Sequence, residues 1–244
     1  MRKLSFFRAS LTISLATLAF AACDSGNIYE PTAETQSTAS RVVKLTADIS
    51  GLSSLPEKYA LSLAAFKSND RYATKLQTIA EEGPITVLMS NTDNGVSTVE
   101  LAITDRLRHR VLTLAAADYS GSAEDLDTIR LEVGRIDVSQ FNCLQQAVFN
   151  KACIQCHGGN GRKAGSLDLT DGHALAELVD KASATREGAI RVVSGNAEQS
   201  LLHQILQNGG QNVLHYNHVE VLSSQFKENL EEVKKYIDDW INGL

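Results

Sequence analysis

Residues 153–158 read Cys153-Ile154-Gln155-Cys156-His157-Gly158, and this stretch decides how the second half of the chain is understood. Two thiols two residues apart can each add to one vinyl group of the same porphyrin. A histidine directly after the second thiol is then held beneath the iron, where its imidazole can bind axially. Three rival readings of the same residues are weaker. A thioredoxin-like redox pair opens a helix after a strand, whereas here a helical pattern precedes the cysteines. A structural zinc site needs four closing ligands, and no second CxxC or HxxxH follows. A Cys153–Cys156 disulfide would be strained and has no use for His157. The spacing therefore predicts one covalent haem c on Cys153 and Cys156, with His157 as an axial iron ligand.

The residues on either side fit a helical domain. Phe141, Leu144, Val148 and Ala152 recur at spacings of three and four, one face of an amphipathic helix that runs into the cysteines. Gly158-Gly159-Asn160-Gly161 is a turn that lets backbone pass close to a flat cofactor. Further on come Ala164-Gly165-Ser166-Leu167-Asp168-Leu169, then Ala189-Ile190-Arg191-Val192-Val193-Ser194-Gly195-Asn196, then Ser200-Leu201-Leu202. The chain closes on Tyr236-Ile237-Asp238-Asp239-Trp240-Ile241-Asn242-Gly243. Phe226, Leu230, Val233, Ile237 and Trp240 share helical spacing and are expected in the core.

In this order the set resembles the planctomycete-type cytochrome c domains, whose pattern runs roughly CxxCHG, AGxLxL, a V-x-G segment leading to SLL, a ligand loop and a final WIxxG helix. The resemblance covers Phe141 to Leu244 and none of the first half. It implies an all-α cytochrome c-like domain over 139–244 in which the last helix closes on the Phe141 helix. The family's ligand loop usually supplies a Met about 15 residues after the Ser of SLL and 7 before the Leu opening the last helix. Counting from Ser200 and back from Leu222 both land on His215. No Met follows Cys156, since the two in the chain are Met1 and Met89. The sixth ligand is therefore expected to be an imidazole, His215 by register, with His218 as the alternative three residues on. Surface histidines with a five-coordinate iron would be the other outcome. His173 is expected to begin a helix with Asp171 as its cap, and His203 to be a core or rim residue. Met/His ligation raises haem potential, so a bis-His centre is expected to lie lower.

Residues 41–138 have a different texture. Val43, Leu45, Ala47 and Ile49 alternate with polar residues, as do Leu61, Leu63 and Ala65, then Val99, Leu101 and Ile103. Val111, Leu112 and Leu114 follow, and Ile129, Leu131, Val133 and Ile136 with slips. This period of two, broken at Ser68-Asn69-Asp70 and Asn91-Thr92-Asp93-Asn94-Gly95, predicts about seven short strands. An immunoglobulin- or fibronectin-like all-β sandwich is the expected fold. Its one histidine, His109 between Arg108 and Arg110, is expected to be solvated.

The first 22 residues combine Arg2, Lys3 and Arg8 with an apolar run from Leu11 to Ala22. That run is too short to span a bilayer and has the proportions of a secretory signal. Small residues before Cys23 resemble a bacterial lipoprotein lipobox, in which Cys23 is lipidated. An ordinary signal peptide cut near Ala22 is the alternative. The polar stretch over 23–40 would then be a tether. Removing the basic segment takes Lys+Arg from 23 to 20 against 29 Asp+Glu, an acidic balance that excludes an extended nucleic-acid interface. Cys143, left without a partner, is expected to be a small buried side chain.

These features predict a membrane-tethered cytochrome that exchanges electrons with unidentified redox proteins outside the cytoplasm. A binding or sensing lipoprotein, with the β-sandwich recognising a partner, is the competing class. Peroxidase-like catalysis needs an open iron or a second haem, so no enzymatic activity is expected.

Overall fold

The computed structural model describes residues 41–244, apart from 91, 93, 94, 120–127, 208 and 209. The expected signal segment, Cys23 with its lipid, the tether and the turn residues Asn91, Asp93 and Asn94 lie outside the described residues. The described residues pack as one compact unit. No helix among the described residues is long and apolar enough to cross a membrane.

Seven strands precede the helices: β1 Val43–Ser50, β2 Tyr59–Lys67, β3 Ala73–Thr78, β4 Gly83–Met89, β5 Val96–Asp105, β6 Arg110–Asp118 and β7 Ile129–Asp137. They form two sheets, β4-β1-β7 and β3-β2-β5-β6. The alternation in β1 is obeyed: Val43, Leu45, Ala47 and Ile49 are buried, while the residues between them are partly open. β4 is an edge strand with Pro84 near its start, where a missing N–H costs no ladder bond. The slip in the last apolar series has a structural cause. β7 runs parallel to β1, and the register jumps from Thr46↔Glu132 to Ala47↔Gly134, leaving Val133 as an extra residue. Gly134 takes φ +71° at this bulge, a conformation that glycine adopts without strain.

The second sheet is buried on both faces. Leu61, Leu63, Val99, Leu101 and Ile103 face the main core. On the other side Ala64, Phe66, Ala73 and Ala102 make a small core of their own, flanked by a buried Ser62–Thr104 hydrogen bond at 3.0 Å. This is possible because the sheet curls until its two edge strands meet. Tyr72 bridges His109, Ala73 N–H donates to the Arg108 carbonyl at 3.0 Å, and Arg110 N–H to the Arg71 carbonyl at 2.7 Å. Small side chains at Ala60, Ser62, Ala64 and Ala102 line the concave side and permit the tight curl. Inside it, Glu100 pairs with Arg110 at 2.8 and 3.0 Å and accepts from Thr113 at 2.7 Å, so the buried charges are matched.

His109 is thus not solvated, as its arginine neighbours suggested. It is buried at the closure, with Nδ1 on Asp105 Oδ2 at 2.7 Å and its ring edge-on to Tyr72 at 4.4 Å.

The helical region comprises α1 Gln140–Leu144, continued as a π-helix over Gln145–Cys153, then α2 Ala174–Leu178, α3 Leu201–Leu206, α4 Gln211–Leu214, α5 His218–Gln225 and α6 Leu230–Asn242. It is not strictly all-α: bridges at His157↔Lys163, Val179↔Val192, Ala182↔Ile190 and Val193↔Asn196 tie its long connections together. As the resemblance implied, α6 closes on the Phe141 helix, with Phe141 and Trp240 rings 5.3 Å apart. Cys143 is fully buried, its thiol on the Val138 carbonyl at 3.3 Å; burial pushes the thiol up to about 12, a chemically inert setting.

Strands and helices share one hydrophobic core. Asn229 Nδ2 donates to the buried Val111 carbonyl at 2.9 Å, and Lys151 to the Thr113 carbonyl at 2.9 Å. Asp239 on α6 accepts from Tyr59 at 2.5 Å and pairs with Lys58 at 2.6 Å and Lys235 at 2.8 Å. Tyr59 and Tyr236 rings stand 4.8 Å apart at the same seam.

Candidate functional site

The π-helix carries Cys153 at its end. Ile154 N–H reaches back five residues to the Phe149 carbonyl at 3.0 Å, and π-helical hydrogen bonding is frequent at functional sites. The wider turn suits the buried residues Leu144, Val148 and Ala152, four apart. Beyond it the backbone tightens: Cys156 and His157 N–H groups both donate to the Cys153 carbonyl, at 3.2 and 3.0 Å. Cys153 is half-buried and Cys156 exposed. Burial of the Cys153 sulfur pushes its thiol up to about 12.

His157 is fixed on several sides. Its carbonyl accepts from Leu169 N–H at 2.7 Å, it bridges Lys163, and its Nδ1 lies 2.9 Å from the Ala164 carbonyl. That contact assigns the proton to Nδ1 and leaves the lone pair on Nε2, the arrangement by which metal-bound histidines are oriented. Burial lowers the affinity of this imidazole for a second proton, and Arg191 adds to the effect. The neutral form is the one that binds a metal.

The glycines after His157 serve the protein's own packing. A Cβ on Gly158, at φ +125°, would stand 2.5 Å from Asp168 Oδ1, and one on Gly159 2.5 Å from the Ile154 carbonyl oxygen. Asp168 is in turn held by Thr170 and Lys163, which keep its carboxyl well below the usual carboxylate range.

Across the cleft stands His218, the first residue of α5. Asn217 caps that helix, its Oδ1 accepting from Glu220 N–H at 3.1 Å. The His157 and His218 rings are stacked, with centroids 6.3 Å apart and planes 17° from parallel. Burial lowers the proton affinity of His218 as well. The two rings share a cleft with Cys153, Cys156, Tyr216 and an apolar wall that includes Phe149, Leu169, Leu202, Ile205, Leu222 and Ile237. A second lobe behind the rings is lined by Arg191, Ser183 and Thr185.

The spacing of the rings tests whether haem fits. A metal–imidazole bond is about 2.0–2.1 Å and the ring centroid lies about 1.1 Å behind the bound nitrogen, so two imidazoles on one metal have centroids roughly 6.3 Å apart. The observed distance matches. Cys153, Cys156 and His157 would hold the group from one side, with His218 opposite.

His215, the residue reached by counting, does not enter the cleft. It ends α4 at φ +56°, a left-handed turn that directs the chain onward, and its side chain is exposed. Both counts lead to a residue outside the cleft. The loop after α3 contains the extra helix α4, and Leu222 sits inside α5, not at the start of the last helix, which begins at Leu230. His218, the alternative, is the histidine brought to His157. His173 is exposed and itself forms the N-terminal cap position of α2, while Asp171 accepts from Asn150 instead of capping. His203 is a half-buried rim residue on Asp238 Oδ1 at 2.8 Å. Tyr216, edge-on to His218 at 5.0 Å, carried no periodicity or motif that marked it in the sequence.

No curated protein and no solved structure matches the chain. Residues 145–238 match the family model for cytochrome c, and with the CxxCH geometry above, this segment is a cytochrome c domain whose cofactor is covalent haem c.

Proposed function

We propose that the protein is an exported, lipid-anchored mono-haem cytochrome that carries electrons outside the cytoplasm, with His157 and His218 as the axial pair. The observation that carries this reading is that the planes of those two rings lie 17° from parallel with centroids 6.3 Å apart, the separation expected of two imidazoles placed edge to edge across one iron. Haem c supplies a one-electron couple. The residues around it do the rest: His157 is oriented by Ala164, the apolar wall keeps water from the rings, and the exposed Cys156 and Tyr216 mark the side from which a partner can approach. Two imidazoles, with no thioether sulfur, favour a low potential, which suits a carrier at the reducing end of a chain. A resting iron with both axial positions taken fits a carrier better than a catalyst.

The sandwich is read as immunoglobulin-like. Its β1–β4 pair and its β2–β5–β6 set reproduce two pairings of that fold, with β7 added in parallel to β1. Because it shares a core with the helices, it serves as a rigid platform for the haem domain. A potentiometric titration with electron paramagnetic resonance tests the electron-carrier reading. It predicts a low-spin ferric signal and one low-potential step; a high-spin signal would refute the axial pair. Cys23→Ser should release the protein from membranes and abolish fatty-acid labelling, and retained labelling would refute the anchor.

A further inference from the structure

The two axial candidates are held very differently. His157 is anchored by its Nδ1 contact with Ala164, by its main-chain bonds to Cys153 and Leu169, and by the bridge to Lys163. His218 Nδ1 is buried and makes no hydrogen bond. The Tyr216 carbonyl stands near the ring, but it accepts the His218 main-chain N–H at 3.2 Å and forms no bond with Nδ1. The segment before His218 is a surface turn: His215 in the left-handed region, then exposed Tyr216 and Asn217. A ring at the start of α5 can therefore swing outward without disturbing the core.

An outer hydrogen bond on a ligating histidine raises its basicity and fixes its orientation, and losing one costs about 10–100-fold in metal affinity. We propose that the sixth iron position is also a binding site for a neutral π-acceptor diatomic, with carbon monoxide as the probe, opened by release of His218 from the ferrous iron. The exchange is a ligand substitution: the bond from iron to His218 breaks, the bond from iron to the diatomic carbon forms, and no electron or proton is transferred. The vacated space is bounded by Leu202, Ile205, Val221 and Leu222, an apolar surround that admits an uncharged ligand. His157, fully anchored, stays bound.

This inference rests on the axial pair proposed above, and the test separates the two. Full-length ferrous holoprotein is mixed with carbon monoxide in a stopped-flow spectrometer, beside His218→Ala. The expected result is a carbon monoxide complex in the native protein whose formation rate levels off as the gas concentration rises, because departure of His218 limits it. His218→Ala should bind in proportion to concentration and, at high gas, roughly tenfold or more faster. If the native ferrous protein is low-spin and forms no complex, the inference fails while the axial pair stands. A rate that never saturates means no ligand is displaced, and overturns it. An unchanged His218→Ala spectrum overturns the axial pair itself. Should that variant not fold, flash photolysis of the native complex decides: the inference requires a transient in which the low-spin six-coordinate spectrum returns before the gas rebinds, and its absence is fatal.

Discussion

Asp168 Oδ1 occupies the space that a side chain on Gly158 would need: a Cβ there would stand 2.5 Å from it, and 2.8 Å from Thr170 Cγ2. The loop after His157 is thus locked by close packing between these two residues as well as by main-chain bonds. With φ +125° at Gly158, Gly158→Ala adds backbone strain of about 1–3 kcal/mol to the steric conflict. Denaturant unfolding of the holoprotein should show a loss of at least that size. A native midpoint would mean the loop relaxes freely.

Acid should weaken the same loop. Asp168 is held below the usual carboxylate range chiefly by hydrogen bonds from Thr170 and Lys163. Its contribution is therefore complete above the unfolded value of about 3.9 and is lost as pH falls from there toward its depressed folded value, because the unfolded chain takes up the proton first. Asp168→Asn should be less stable than the native protein at pH 7 and the difference should shrink by pH 3. A difference independent of pH would contradict the assignment.

Sandwich and haem domain should unfold together. Their cores are continuous, and Asn229 satisfies the buried Val111 carbonyl at 2.9 Å. Far-ultraviolet circular dichroism and the Soret band should report one coincident transition. Asn229→Ala strands a buried carbonyl and should shift both signals together, by about 1–3 kcal/mol. Two separated transitions would show that the halves fold independently.

The haem itself depends on two side chains. Replacing Cys153 and Cys156 by Ala together should yield protein whose haem is removed by acid–acetone extraction, whereas the native protein should stay coloured. Colour that survives extraction in the double variant would place the covalent attachment elsewhere.

What could be read from the sequence follows the range of the interactions involved. The alternation of Val43 to Ile49 and of Leu61 to Ala65 is local, and each strand lies where that period puts it. Cys153, Cys156 and His157 are adjacent in the chain, so their grouping needs no tertiary information. The curl that buries His109 is different in kind: it depends on Tyr72 meeting His109 across 36 intervening positions, and the flanking arginines point the other way. The choice between His215 and His218 turns on one left-handed residue and on the short helix α4. Counting residues from Ser200 cannot register either, since a turn of helix inserted into a loop changes the span without changing the motif. The π form of the haem helix was equally hidden, because buried positions at spacings of three and four suit an α-helix until packing selects the wider turn.

The most direct test of the account compares ferric His218→Ala with His215→Ala by optical and electron paramagnetic resonance spectroscopy. The stack of His157 and His218 predicts that loss of His218 turns the haem at least partly high-spin, while loss of the exposed His215 leaves it low-spin. A high-spin His215→Ala beside a low-spin His218→Ala would contradict the axial pair and return the sixth ligand to the residue reached by counting.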